Sequence, residues 1–216
     1  MGTIQAVIFD CDGTLVDSES VVCDVMCSFV AEFGLALTPR EYLDEFAGVQ
    51  MAATVAEFER RLGRRLPSTF VPQLRARMAE AFTEHLQPMP GAVETVRALT
   101  IPFCVASGGP RAKIELSLTI VGLLDAFEGR IFSSYDVNAH KPDPGLFLHA
   151  AAALGVPPAR CAVIEDSPTG FAAARAAGTQ LFVLDPDRRY RHLVGDATVL
   201  DATVLDEISE ILAYLD

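Results

Sequence analysis

Two carboxylates one residue apart stand near the start of the chain, in Ile8-Phe9-Asp10-Cys11-Asp12-Gly13-Thr14. So close together, Asp10 and Asp12 would resist double ionisation unless a cation lay between them, and hard oxygen donors favour Mg²⁺. Three further polar groups follow in order: Ser107 with Gly108, then Lys141, then Glu165-Asp166. Together they supply what phosphoryl transfer requires, namely positioning, charge neutralisation and an in-line nucleophile. A carboxylate can attack phosphorus to give an aspartyl phosphate. A second can protonate the leaving oxygen and later activate water. Lysine and Mg²⁺ would offset the phosphoryl charge, and serine with N–H groups at a helix start would hold its oxygens. Each group alone has a plainer reading as a turn, a helix lead-in or an N-cap. Four of them in order are harder to dismiss.

The elements that must hold these groups are legible as strands ending where the groups begin. Gln5–Phe9 is apolar and partly β-branched, a buried strand that stops at Asp10 with Gly13 close behind to turn the chain. The spacing predicts strands at Phe103–Ala106, ending at Ser107-Gly108-Gly109-Pro110, and at Cys161–Ile164, ending at Glu165-Asp166-Ser167. Lys141 follows a short strand at Ile131-Phe132, in the loop Asn138–Pro144. A further strand is expected at Leu181–Leu184. Helices are expected at Ala92–Leu99, Arg111–Val121, up to Leu154, up to Ala177 and at Glu207–Leu215. This alternation implies an α/β fold with a doubly wound parallel sheet, a three-layer Rossmann-like core whose carboxyl edge binds ligands.

Residues 17–87 differ in character. Ser20–Phe33, Met51–Leu62 and Pro67–Glu84 carry apolar residues at helical spacing, and Thr38-Pro39-Arg40-Glu41 has the pattern of a capping box with proline at the first helical position. No strand is evident there. An all-helical block inside an α/β chain reads as an inserted cap domain, which places a catalytic core at 1–16 and 88–216 and a cap at 17–87.

Half of the 216 residues are hydrophobic, enough for a sizeable core, yet no apolar run reaches membrane-spanning length. The first residues lack a signal-peptide pattern, so a cytoplasmic location is expected. A formal charge of −12 argues against nucleic acid and anionic membranes as partners. The five cysteines show neither zinc nor CxxC spacing and are expected to be reduced thiols. Cys11 lies between two carboxylates that would raise its pKa, so it is read as strand packing and not as a nucleophile.

In these motifs and their order the chain resembles the haloacid dehalogenase (HAD) superfamily, over essentially its whole length. The helical block resembles the caps of its β-phosphoglucomutase-like and sugar-phosphate phosphatase branch. The resemblance implies Asp10 as nucleophile and Asp12 as general acid/base, with Ser107, Gly108 and Lys141 on the phosphate. It implies Mg²⁺ on the Asp10 carboxylate, the Asp12 backbone carbonyl and Asp166, with Glu165 behind them or as a further ligand. Aspartate at position 12, absent from the family's dehalogenases and phosphonatases, favours phosphate esters. Mutases of the branch carry a histidine where this chain has Val22, and an arginine where it has Ala47-Gly48-Val49-Gln50-Met51. The expectation is therefore a Mg²⁺-dependent phosphatase. A β-phosphoglucomutase-type activity is the alternative, and a phospho-receiver-like switch is the alternative from another class.

Substrate choice is expected in the cap, at Glu19, Gly48, Val49 and Gln50. A neutral Gln50 fits a small singly phosphorylated sugar, sugar acid or polyol better than a bisphosphate. The Arg60-Arg61 and Arg64-Arg65 pairs, beside Glu57 and Glu59, read as a solvated face. The protein is expected to be a monomer or a weak homodimer.

Overall fold

A computed structural model describes residues 2–46, 49–193 and 201–215. In chain order its elements are β1 (Ala6–Phe9), β2 (Val16–Asp17), α1 (Glu19–Ala31), α2 (Pro39–Phe46), α3 (Met51–Leu62), α4 (Phe70–His85) and β3 (Gln87–Pro88). There follow α5 (Ala92–Ala98), β4 (Phe103–Ser107), α6 (Arg111–Ile120), β5 (Ile131–Ser133), α7 (Ser134–Val137) and α8 (Gly145–Leu154). The chain continues through β6 (Cys161–Glu165), α9 (Pro168–Ala176), β7 (Gln180–Leu184) and β8 (Thr203–Leu205) to a 3₁₀ stretch at Ile208–Tyr214.

The chain divides into two compact units, Met1–Val16 with Pro88–Asp216, and Asp17–Gln87. The first contains a six-stranded sheet in the order β5-β4-β1-β6-β7-β8, all of its described pairings parallel. β1 is buried along its whole length and lies at the centre, which explains its unbroken apolar run. Successive strand residues face opposite sides. Ala6 and Ile8 join Cys104, Ala106 and Val163 in a core with Leu146 and Phe147 of α8 and Phe171 of α9. Phe9 meets Phe103 and Phe127 edge to face at 6.5 and 6.2 Å. The unit is the three-layer α/β core expected from the strand–helix alternation.

The helical unit is held by its own aromatic centre. Phe29 lies 5.0 Å from Phe70, and Phe46 lies 5.0 Å from Phe58, ring centre to ring centre. Its second helix starts as the sequence dictates. Glu41 N–H donates to Thr38 Oγ1 at 3.2 Å, and Thr38 N–H returns a bond to Glu41 Oε2 at 2.8 Å. The arginines of its polar face are engaged: Arg60 and Arg61 on Glu57, Arg65 on Glu59, Arg64 on the Phe33 carbonyl.

Three expectations need correction. The fourth helix starts at Phe70 and not at Pro67, because a turn closed by Phe70 N–H on the Pro67 carbonyl at 2.9 Å comes first. The segment expected as a helix at Glu207–Leu215 is 3₁₀ over Ile208–Tyr214, with Ile208 and Ile211 buried. The edge strand β8 was not expected at all. Its three residues are too few to show a period.

Candidate active site

Sheet order does most of the assembly. β4, β1 and β6 are neighbours, with Phe9 level with Val105 on one side and Ile164 on the other. Their carboxyl ends therefore present Ser107, Asp10 and Glu165 side by side. Asp10 N–H is tied to the Ile164 carbonyl at 3.0 Å, which continues the ladder to the catalytic turn.

Lys141 reaches this row from the loop ahead of α8. Its ammonium lies 2.5 Å from Asp10 Oδ1 and also donates to Glu165 Oε1. The three side chains are almost sealed from solvent, at 8, 8 and 0% exposure. Burial pushes the Asp10 carboxyl up to about 7, although the Lys141 charge pulls it down, while Glu165 and Asp12 push it further up. Burial opposes the charge on Lys141, but the two carboxylates outweigh it and hold the ammonium protonated beyond its ordinary range.

Glu165 is engaged at both oxygens. Oε1 takes Lys141, while Oε2 accepts from Asp166 N–H at 3.0 Å, Ser167 N–H at 2.9 Å and Ser167 Oγ at 2.9 Å. Ser167 also caps α9, accepting from Gly170 N–H at 3.2 Å. Gly170 is required by proximity, since a Cβ there would lie 1.9 Å from the Glu165 carboxyl carbon.

Asp166 points the other way. Its Oδ1 accepts from Thr14 Oγ1 at 3.2 Å, and its carboxylate lies against Gly13, which has a φ of +74°. Oxygens of Asp10, Glu165 and Asp166 lie within 4.8 Å of one another, a hard-donor set suited to Mg²⁺. With Glu165 already saturated, Asp10 and Asp166 are the carboxylates best able to serve such an ion.

Asp12 sits in a tight turn in which Gly13 N–H bonds the Val16 carbonyl at 2.8 Å and Leu15 N–H bonds the Cys11 carbonyl at 2.9 Å. Its Oδ1 accepts from Lys113 Nζ, in the first turn of α6. Burial opposes the charge on Lys113, but Asp12 outweighs it and holds the ammonium protonated. Ser107, buried at the end of β4, accepts from Gly109 N–H at 3.1 Å, which leaves its own proton for donation. Ser133 Oγ donates to the Gly109 carbonyl at 2.6 Å, and Arg111 Nε to Asp136 at 2.7 Å, so the loop after Ser107 is fastened to β5 and α7. Gly108 lies exposed at the tip of that loop.

The structure thus brings together Asp10, Asp12, Ser107, Lys141, Glu165 and Asp166, with Gly108 in the loop behind Ser107. Lys113, Thr14 and Ser133 are part of the same arrangement and were missed in the sequence, where nothing distinguishes them from ordinary helix and turn residues. Cys11 is buried, and burial with the Asp12 charge pushes its thiol far above the usual range, in keeping with a packing role. Glu19 opens α1, while Val49 and Gln50 are exposed ahead of α3. Gly48 lies outside the described residues.

A parallel α/β core with carboxylates and lysines converging at its carboxyl edge is the class defined by this fold and site. The chain belongs to the haloacid dehalogenase-like hydrolases, whose family model matches residues 4–178. It is 34% identical over 212 residues to the 6-phosphogluconate phosphatase of Escherichia coli K12, covering 98% of this chain and 96% of that one. It is 31% identical to hexitol phosphatase B of the same organism, over 84% of this chain and 83% of that one. A HAD family hydrolase from Deinococcus radiodurans R1, solved with bound phosphate and sodium, superposes with a TM-score of 0.76. It is 35% identical, over 99% of this chain and 95% of that one.

Proposed function

We propose that this protein is a Mg²⁺-dependent phosphatase that hydrolyses a small phosphate monoester through an aspartyl phosphate on Asp10. The observation that carries this reading is the buried contact of Lys141 with both Asp10 and Glu165. It fixes one carboxylate at the ligand edge with a counter-charge beside it. Asp12, two residues further along, is partly exposed and paired with Lys113. Two carboxylates in such different surroundings suit two different roles.

In this mechanism Asp10 attacks phosphorus in line, and the bond from phosphorus to the ester oxygen breaks. The departing oxygen takes its proton from Asp12. Asp12 then accepts a proton from water as that water attacks the phosphoryl group on Asp10. This step releases inorganic phosphate and restores both side chains. Ser107 Oγ–H and the N–H groups around Gly108 hold the phosphoryl oxygens, and Lys141 offsets their charge. Mg²⁺, when bound by Asp10, Asp166 and the Asp12 carbonyl, supplies further charge neutralisation at the phosphoryl group.

A sugar, sugar-acid or polyol phosphate is the substrate class, supported by relatives named for 6-phosphogluconate and hexitol phosphates. Glu19, Gly48, Val49 and Gln50 of the helical cap are the residues proposed to select among these. Hydrolysis is preferred to a mutase reaction because Val22 is packed against the apolar core of the helical unit, with no proton-transferring group on its side chain. The cytoplasm is the proposed location, in keeping with five free thiols.

The test is phosphate release from a panel of sugar, sugar-acid, polyol and nucleoside monophosphates, with Mg²⁺ and with chelator. Metal-dependent release, greatest among the sugar acids and polyols, is expected. Isomerised sugar phosphate without release would overturn hydrolysis in favour of a mutase. Labelling of Asp10 by acyl phosphates without turnover would overturn it in favour of a switch.

A further inference from the structure

Two lysines serve this site, and their surroundings differ. Lys141 is sealed, whereas Lys113 and its partner Asp12 keep 26 and 31% of their side chains exposed. Lys113 is the third residue of α6. The helix starts directly after the phosphate loop, with Lys113 N–H and Ile114 N–H both bonded to the Pro110 carbonyl at 2.9 and 3.2 Å. From there its stem runs back past Gly109. A Cβ placed on Gly109 would lie 3.4 Å from Lys113 Cδ, 3.6 Å from Ser107 Oγ and 3.9 Å from Asp12 Oδ2. Gly109 is thus the shared neighbour of the serine, the lysine stem and the Asp12 carboxylate.

For stability such a pair would matter little, since solvent screens partly exposed ion pairs. For catalysis its geometry matters more. The turn at Gly13–Val16 sets the backbone of Asp12, and Lys113 binds Oδ1 of its carboxylate from α6. A proton donor is useful only within hydrogen-bond reach of the ester oxygen. An ammonium anchored on the first turn of a helix, behind a loop that Ser133 and Asp136 fasten, is a fixed point against which that carboxylate is held.

We propose that Lys113 is a positioning residue that holds the Asp12 carboxyl group by Oδ1, so that Oδ2, carrying the proton, is oriented to pass it to the leaving oxygen. This deepens the phosphatase reading and rests on it, because it takes Asp12 as the general acid. Its consequence is a dependence on the leaving group. Alkoxides of sugars and polyols are poor leaving groups that need the proton. A nitrophenolate departs without it.

The experiment compares a polyol phosphate with p-nitrophenyl phosphate in single turnover, following release of the alcohol or phenol. Both esters give the same phosphoenzyme, so a difference between them isolates the first step. Lys113→Met is expected to slow release from the polyol ester by roughly 100-fold, the scale of a general acid's contribution. The loss on the nitrophenyl ester should be at least about tenfold smaller, with KM for both changed less than kcat, and Lys113→Arg should recover part of the polyol rate. Equal losses on both esters, a change confined to KM, or no change would each overturn the proposal. If Lys113→Met does not fold by circular dichroism, Lys113→Gln carries the same comparison. Asp12→Ala separates the two levels of the argument. Were it to slow release equally from both esters, the general-acid reading would fail. Were it to discriminate while Lys113→Met does not, only the role of Lys113 would fail.

Discussion

A methyl group on Gly13 would lie 2.0 Å from Oδ2 of Asp166, at a backbone φ of +74° that side chains other than hydrogen rarely tolerate. The turn that ends β1 and the acid that follows β6 are therefore fitted to one another. The neighbouring Thr14 hydroxyl completes the fit on Asp166 Oδ1 at 3.2 Å.

Gly13→Ala should displace Asp166 and with it the Mg²⁺ donors, while the sheet stays intact. Disturbing the groups that orient a ligand typically weakens metal binding about 10–100-fold. Calorimetric Mg²⁺ titration of the variant checks this, with circular dichroism to show the fold retained. Unchanged affinity would mean that Asp166 takes no part in the metal site.

Gly170 offers a prediction whose sign is unusual. Inside a helix, glycine to alanine ordinarily stabilises by about 1 kcal/mol. At Gly170 the added carbon would lie 1.9 Å from the carboxyl carbon of Glu165, a fully buried group whose oxygens are all engaged. Gly170→Ala is therefore expected to lower stability in urea unfolding and to lower kcat by loosening Lys141. A stabilised, fully active variant would show that α9 can shift without cost to the site.

Metal binding should depend on pH through Asp10. Its carboxyl is raised from 3.8 to about 7, first by burial, against the pull of Lys141. The ion takes the ionised form, so proton and metal compete. Below 7 each further unit of acidity should weaken Mg²⁺ binding by about tenfold, and above it the affinity should level off. The linkage for the metal-free protein has the matching sign. Folded Asp10 holds its proton more tightly than unfolded Asp10, so this group's contribution to stability is present below 3.8 and is lost as pH rises through about 7. Mg²⁺ should offset that loss. Titrations on both sides of neutrality, paired with thermal melts with and without metal, test both halves. A flat affinity would contradict the burial of Asp10.

Much of the core was legible because β1, β4 and β6 are apolar runs that stop at a polar residue. The rule that ligands bind at carboxyl ends then singled out Asp10, Ser107 and Glu165-Asp166. The start of α2 was legible for the same local reason, since Thr38 and Glu41 meet through the backbone between them. What stayed hidden depends on partners far apart in the chain. Lys113 becomes part of the site only because β4 lies beside β1, and no periodicity in Arg111–Ile120 marks it. Glu165 as a metal ligand and Glu165 as a lysine anchor require the same residue type, and only the hydrogen bonds to its two oxygens separate them. The terminal segment has helical spacing, yet Ile208 and Ile211 are buried from a 3₁₀ turn three residues apart. That is one of the contacts an α-helix would also allow.

The central claim is that Asp10 carries the phosphoryl group, and the most direct measurement is peptide mapping of enzyme acid-quenched during turnover with Mg²⁺. A phosphoryl group on the peptide holding Asp10 is expected, reduced to nothing in Asp10→Asn and accumulating in Asp12→Ala supplied with p-nitrophenyl phosphate, whose phenolate leaves without a proton while the attacking water lacks its base. A phosphoryl group found on another residue, or substantial turnover by Asp10→Asn, would contradict it.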